Sequence, residues 1–151
     1  MIDGVKIKEL RINCDERGRL FEVLRSDDEL FARFGQAYIT TAYPGVVKAW
    51  HMHQNQTDNM CVVKGAAKFV LYDSRPDSPT RGEINEFFPC DDRRLLIQIP
   101  PGIYHGFKNI GTDEVFVLNI PTNIYRYDSP DEHRLDPKNS EIPYDWSRKD
   151  G

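Results

Sequence analysis

Hydrophobic and polar positions alternate in short runs along most of this chain, with the period of a strand. The runs Gln36–Thr41, Val46–His53, Met60–Val63, Ala67–Tyr72, Leu95–Ile99 and Val115–Ile120 are rich in Val, Ile, Phe and Tyr, and turn residues separate them. Strands at this spacing predict an all-β sandwich or barrel and not a βαβ repeat. One short N-terminal helix is expected. Ser26-Asp27-Asp28-Glu29 reads as a capping box, Leu30, Phe31 and Phe34 follow at helical spacing, and Gly35 supplies the stop. From Pro121 onward the chain is rich in Pro, Tyr and charge, which predicts an irregular segment wrapping the sheet and ending in a turn around Trp146. With no internal repeat, low-complexity tract or linker, residues 1–151 read as one domain.

Composition narrows the function classes. The 151 residues are 39% hydrophobic and 29% charged, which is ordinary for a soluble globular protein. The net charge is -4 and no Lys/Arg run exceeds a pair, so a basic nucleic-acid footprint is excluded. Cys14, Cys61 and Cys90 are scattered and odd in number, which suits reduced thiols better than a disulfide framework. No apolar run reaches transmembrane length and Met1-Ile2-Asp3-Gly4-Val5-Lys6 lacks a signal-peptide core, so a cytoplasmic location is expected, with no membrane partner.

Candidate chemistry lies in two histidine segments. His51 and His53 stand at i and i+2 in a strand context, so their side chains leave the same face. Asp58 follows an Asn/Gln-rich break, and His105 lies in Pro100-Pro101-Gly102-Ile103-Tyr104-His105-Gly106-Phe107. Three imidazoles and a carboxylate suit a metal site or an acid/base site. A plainer reading has some of them hydrogen-bonded inside a polar barrel. Trp50 and Met52 alternate with the histidines and are expected in the core, as is Phe107. The charged cluster Asp131-Glu132-His133-Arg134 reads as solvated surface.

The spacing of Gly45, His51-x-His53, Asp58 and Gly65 resembles the first cupin motif, with Asp where Glu is usual. Pro100-x-Gly102-x-x-His105-x-x-x-Asn109 resembles the second, with Arg94 in place of its leading Gly. The resemblance implies a double-stranded β-helix, the cupin jelly roll, in which His51, His53, Asp58 and His105 would be the ligands if a divalent transition metal were bound. Asp15-Glu16-Arg17-Gly18-Arg19-Leu20-Phe21-Glu22, Val62-Val63-Lys64-Gly65, Asp73-Ser74-Arg75…Ser78-Pro79-Thr80-Arg81-Gly82 and Ile99–Phe107 narrow it further. Over roughly residues 15–137 the chain resembles dTDP-4-dehydrorhamnose 3,5-epimerase, a cupin isomerase of deoxysugar biosynthesis that works without a metal cofactor.

That resemblance implies proton abstraction beside the keto group of a nucleotide-linked 4-keto-6-deoxyhexose. It assigns His51 as the base, Asp136 as its carboxylate partner and His105 as a second histidine near the keto oxygen. Arg17, Gln36 and Lys48 fall on substrate-contacting positions, with Lys48 replacing an arginine. Two departures stand out. The enolate-stabilising lysine aligns with Asp58, and the tyrosine acid of the opposite face aligns with Asn119, which leaves Tyr104, Tyr125 or Tyr127 as substitutes. A metal in place of the lysine would polarise the keto oxygen, but a His51 bound to it would have no lone pair left for the proton. A metal-dependent enzyme acting on another small molecule and a non-catalytic sugar-nucleotide binder are the rival readings. By family analogy a homodimer is expected.

Overall fold

The computed structural model describes residues 1–138 and 141–149. Each of the six apolar runs forms a strand, because Val, Ile and aromatic side chains pack well on a pleated, half-buried surface. In chain order the strands are β1 (Lys6–Glu9), β2 (Asn13–Asp15), β3 (Gly18–Leu20), β4 (Tyr38–Ala42), β5 (Val47–Met52), β6 (Asp58–Lys64), β7 (Ala67–Asp73), β8 (Ile84–Phe87), β9 (Leu95–Ile99), β10 (Ile103–Asn109), β11 (Val115–Asn119) and β12 (His133–Arg134). One five-stranded sheet has the order β1-β9-β6-β11-β4 and a second has β12-β5-β10-β7-β8, with β2 and β3 as a separate hairpin. The pairings between these strands are antiparallel.

The inner faces of the two sheets enclose the main core, which includes Val62 of β6, Phe69 and Leu71 of β7, Ile97 and Ile99 of β9, Phe107 of β10 and Val117 of β11. Both outer faces are covered by irregular chain. Leu10, Leu30 and Phe21 pack on Cys61 and Leu96 of the first sheet. Ile142, Tyr144 and Trp146 of the tail pack on Trp50 and Val70 of the second, with the Trp50 and Trp146 rings 5.0 Å apart. Trp50 is therefore core, as its parity requires, but it belongs to the layer under the tail.

The expected helix is absent, and no other occurs among the described residues. Residues 26–30 form turns instead, closed by Asp28 N–H to the Arg25 carbonyl at 3.2 Å and Phe31 N–H to the Asp28 carbonyl at 2.9 Å. The Asp28 carboxylate takes the Leu30 N–H at 3.2 Å and pairs with Lys8 of β1, so the side chain competes with a helical ladder. Only Leu30 of the apolar triplet is fully buried, and Phe34 is 63% exposed, so a helix there would have no face to bury.

Two local features hold the sheet ends. Gly65 turns β6 into β7 at φ +88°, a conformation that side chains resist. Asp73, at the end of β7, is fully buried and ties the following loop: its carboxylate accepts from Arg75 Nε at 2.9 Å, Arg75 Nη2 at 2.8 Å, Ser78 Oγ at 2.6 Å and Thr80 Oγ1 at 2.7 Å. The Asp-Ser-Arg…Ser-Pro-Thr stretch is thus a structural knot. The three cysteines are free, and no helix among the described residues is long and apolar enough to cross a membrane.

Candidate active site

A cleft of about 920 Å³ lies between the sheets, and polar side chains replace the apolar core there. His51 comes from β5, and its neighbour across the strand pair is His105 of β10, in direct register. His53 follows just beyond β5 on the same side. Asp58 opens β6 of the opposite sheet and reaches across to the histidines. A bulge between His105 and Phe107 lets β5 and β10 close on each other. Gly106 permits the approach, since a Cβ there would stand 2.2 Å from Ala49 Cβ.

The four residues separate into two units. In the first, Glu132 Oε1 accepts the His51 Nδ1–H at 2.8 Å, while Glu132 Oε2 takes Arg134 Nη2 at 2.9 Å. Strand β12 produces this arrangement. Arg134 lies opposite His51 in the β12–β5 register, and alternation puts Glu132 on the same face. With Nδ1–H given to Glu132, the lone pair of His51 is on Nε2. Burial lowers the His51 pKa, with Glu132 opposing in part, so the ring stays neutral and able to accept a proton.

In the second unit, Asp58 is almost fully buried. Its Oδ2 lies 3.2 Å from His105 Nε2 and 3.4 Å from His53 Nε2. Its Oδ1 accepts from Gln56 Nε2 at 2.8 Å and Asn119 Nδ2 at 2.9 Å. Burial by itself would raise the Asp58 pKa, but His105, His53 and Asn119 outweigh it and hold the carboxyl at about 2. The opposite edge of each ring faces a main-chain carbonyl: His105 Nδ1 that of Ile103 at 3.1 Å, His53 Nδ1 that of Asp131. The His53, Asp58 and His105 donor atoms all lie within 4.8 Å of one another, and this trio excludes His51. The four-ligand set expected from the motif is thereby reduced to three.

The structure revises other assignments. Asp136 lines the cleft, but its Oδ1 takes the Lys138 N–H at 2.7 Å, and the carboxylate on His51 Nδ1 is that of Glu132. The pairing of β12 with β5 brings Glu132 rather than Asp136 to the ring. Gln36 and Lys48 do line the cleft, with Lys48 Nζ on Thr40 Oγ1 at 3.0 Å. Arg17 does not: it sits at the tip of the exposed β2–β3 hairpin, paired with Asp15. Asn119 is fully buried behind the cleft, where its amide anchors Asp58 and Tyr38, so it is a positioning residue and not a substrate contact. Tyr104 alternates away from His105 and packs under the tail, whereas Tyr125 and Tyr127 stand at the cleft mouth, 42% and 92% exposed.

Sequence reasoning missed Glu132, Gln56 and Tyr38. The available signal for Glu132 was its place four residues before Asp136, the carboxylate assigned to His51, and for Tyr38 the strand parity it shares with Gln36.

Known proteins share this architecture. The polysaccharide biosynthesis C-terminal domain family matches residues 13–133. The chain is 43% identical over 148 residues to the probable low-salt glycan biosynthesis epimerase Agl13 of Haloferax volcanii, covering 97% of this chain and 95% of that one. It is 30% identical over 136 residues to a dTDP-4-dehydrorhamnose 3,5-epimerase of Methanothermobacter thermautotrophicus, covering 85% and 73%. A crystal structure of a dTDP sugar isomerase from Desulfovibrio desulfuricans G20 superposes with a TM-score of 0.90 at 32% identity, covering 99% of this chain and 94% of that one. The chain therefore belongs to the polysaccharide biosynthesis C-terminal domain family, as a divergent member of the dTDP-4-dehydrorhamnose 3,5-epimerase-like group.

Proposed function

We propose that this protein is a cupin jelly roll that epimerises a nucleotide-linked 4-keto-6-deoxyhexose by proton abstraction beside the keto group. The observation that carries the reading is the His51–Glu132 pair, set in a cleft of about 920 Å³ in a chain whose relatives are sugar epimerases. A carbon next to a ketone loses its proton when a base takes it and a donor stabilises the oxygen that becomes an enolate. His51 Nε2 is the base. Glu132 fixes the tautomer and stabilises the imidazolium that forms. Lys48, which lines the same cleft, supplies a donor to the enolate oxygen, and His105, held between Asp58 and the Ile103 carbonyl, shapes the wall beside it. Arg17 stands outside the cleft of its own chain, so a homodimer that carries it to a second copy's substrate is part of this reading. Deuterium wash-in from solvent into the sugar ring of a 4-keto-6-deoxyhexose nucleotide tests the proposal. Absence of exchange across a panel of such nucleotides refutes it.

One observation favours a metal-dependent version. The His53 and His105 rings are oriented through Nδ1 by main-chain carbonyls, so both Nε2 atoms turn toward Asp58 Oδ2. An imidazole held through its other nitrogen is the usual setting of a metal ligand, and two nitrogens with one carboxylate suit a divalent transition ion. These three residues fit the group, which would supply a Lewis acid for the keto oxygen. His51 lies outside the trio, so it keeps its lone pair for the proton. Elemental analysis of purified protein, with activity measured before and after chelation, decides between the versions. A bound stoichiometric ion whose removal abolishes turnover supports the metal. Full activity of metal-free protein refutes it.

A further inference from the structure

Inversion of a carbon centre needs a proton donor on the face opposite the base, and the family resemblance puts Asn119, an amide, where that donor is expected. The geometry points to Tyr38 as the opposite-face acid, an inference that rests on the epimerase reading above. Tyr38 lies on β4, directly across from Asn119 on β11, so the two side chains share one face of the first sheet. Asn119 Oδ1 accepts the Asn59 N–H at 3.1 Å, which fixes the amide, and Nδ2 donates to Asp58 Oδ1 at 2.9 Å and to the Tyr38 oxygen at 3.0 Å. The phenol oxygen is thus an acceptor in that bond, and its own O–H has no acceptor among the described residues. That proton is available to the cleft, which Tyr38 lines.

The position is right for the stereochemistry. His51 projects from β5 of one sheet and Tyr38 from β4 of the other, and both line the cleft of about 920 Å³ that lies between the sheets. Burial, with the charges of Asp58 and Glu132, raises the pKa of the Tyr38 hydroxyl above its ordinary value and keeps it protonated at neutral pH. The mouth tyrosines are poorer donors. Tyr127 is 92% exposed, Tyr125 and Tyr127 pack edge to face at 5.0 Å, and the Tyr125 hydroxyl lies toward the charge of Arg134 at the mouth and not on the wall facing His51.

The proton count balances. His51 Nε2 takes the ring C–H proton, and the bonding pair becomes the enolate C=C as the carbonyl pair moves to oxygen. The enolate carbon then takes the Tyr38 O–H proton from the other side, and the C=O re-forms. The phenolate recovers a proton from water and the imidazolium returns one, so the net change is inversion of one centre.

The test follows both exchange and inversion in D₂O with a 4-keto-6-deoxyhexose nucleotide, in wild type, Tyr38→Phe, Tyr125→Phe and Tyr127→Phe. Tyr38 as a residue is 41% exposed and gives up one hydrogen bond, so Tyr38→Phe is expected to fold, which a thermal melt verifies. In that variant His51 continues to exchange the proton on its own face, while inversion falls by about a hundredfold or more. Tyr125→Phe and Tyr127→Phe leave inversion intact. Inversion at the wild-type rate in Tyr38→Phe overturns the assignment, as does loss of inversion in either mouth variant alone. Loss of exchange together with inversion in Tyr38→Phe also overturns it, because Tyr38 would then act before the enolate forms. Absence of exchange in the wild type refutes the epimerase reading itself, and this inference with it.

Discussion

Replacing Glu132 with Gln isolates the charge of the histidine's partner from its shape. The carboxylate serves two donors at once, His51 Nδ1 at 2.8 Å and Arg134 Nη2 at 2.9 Å. A glutamine has a single acceptor oxygen. Arg134 has a side chain 69% exposed and can turn to solvent, so the amide oxygen goes to His51 and the tautomer survives. What is lost is the attraction between the carboxylate and the imidazolium that forms as the proton is taken. Unit charges about 4 Å apart interact by about 4 kcal/mol at the effective dielectric of a site near the surface. The His51 and Glu132 side chains are 29% and 15% exposed, so water screens part of that. About 1–3 kcal/mol remains in the transition state, which corresponds to a kcat about 5- to 150-fold lower, with KM nearly unchanged. Steady-state turnover of a 4-keto-6-deoxyhexose nucleotide measures it, beside Asp136→Asn as the comparison. Undiminished kcat in Glu132→Gln, or a larger loss in Asp136→Asn, would show that the working carboxylate is not Glu132.

Two further outcomes test the frame around the site. The Asp73 carboxyl lies below its ordinary 3.8: burial pushes it up, but Arg75, Ser78 and Thr80 pull it down by more. A depressed carboxyl adds stability above its unfolded value and loses it as pH falls toward its folded value. Asp73→Asn is therefore expected to lower stability by about 3 kcal/mol at neutral pH. Urea titrations should show that difference shrinking once the pH drops below 3.8, and an equal loss at both ends would contradict the argument. Gly106→Ala places a methyl 2.2 Å from Ala49 Cβ and 2.8 Å from the Lys48 carbonyl oxygen, so β5 must move away from β10. We expect a loss of about 1–3 kcal/mol in a thermal melt. Turnover should drop by about a hundredfold as His51 shifts relative to His105, and an unchanged Tm with full activity would refute this account.

Much of the fold was legible because strand patterning is local. The six apolar runs carry their own period and β-branched composition, and each became a strand. The His51-x-His53 spacing likewise put two imidazoles on one side without any tertiary information. Local signals failed where distant chain competed for the same groups. Ser26–Phe34 has the cap and spacing of a helix, yet Lys8 of β1 holds Asp28 and only Leu30 finds a fully buried place. Strand β12 is two residues of charged sequence with no strand signature, and it exists because the edge of β5 was open to pair with it. That pairing brought Glu132 to His51 and left Asp136, the nearer match by pattern, elsewhere in the cleft. The same logic governs Asn119. By alignment it marked a lost acid; across the β4–β11 register it holds the hydroxyl of Tyr38. Sequence alone determined six of the twelve strands among the described residues, the histidine face and the class of chemistry. The partner of each histidine was decided only by the tertiary structure, because sheet register joins residues far apart in the chain and no local pattern encodes it.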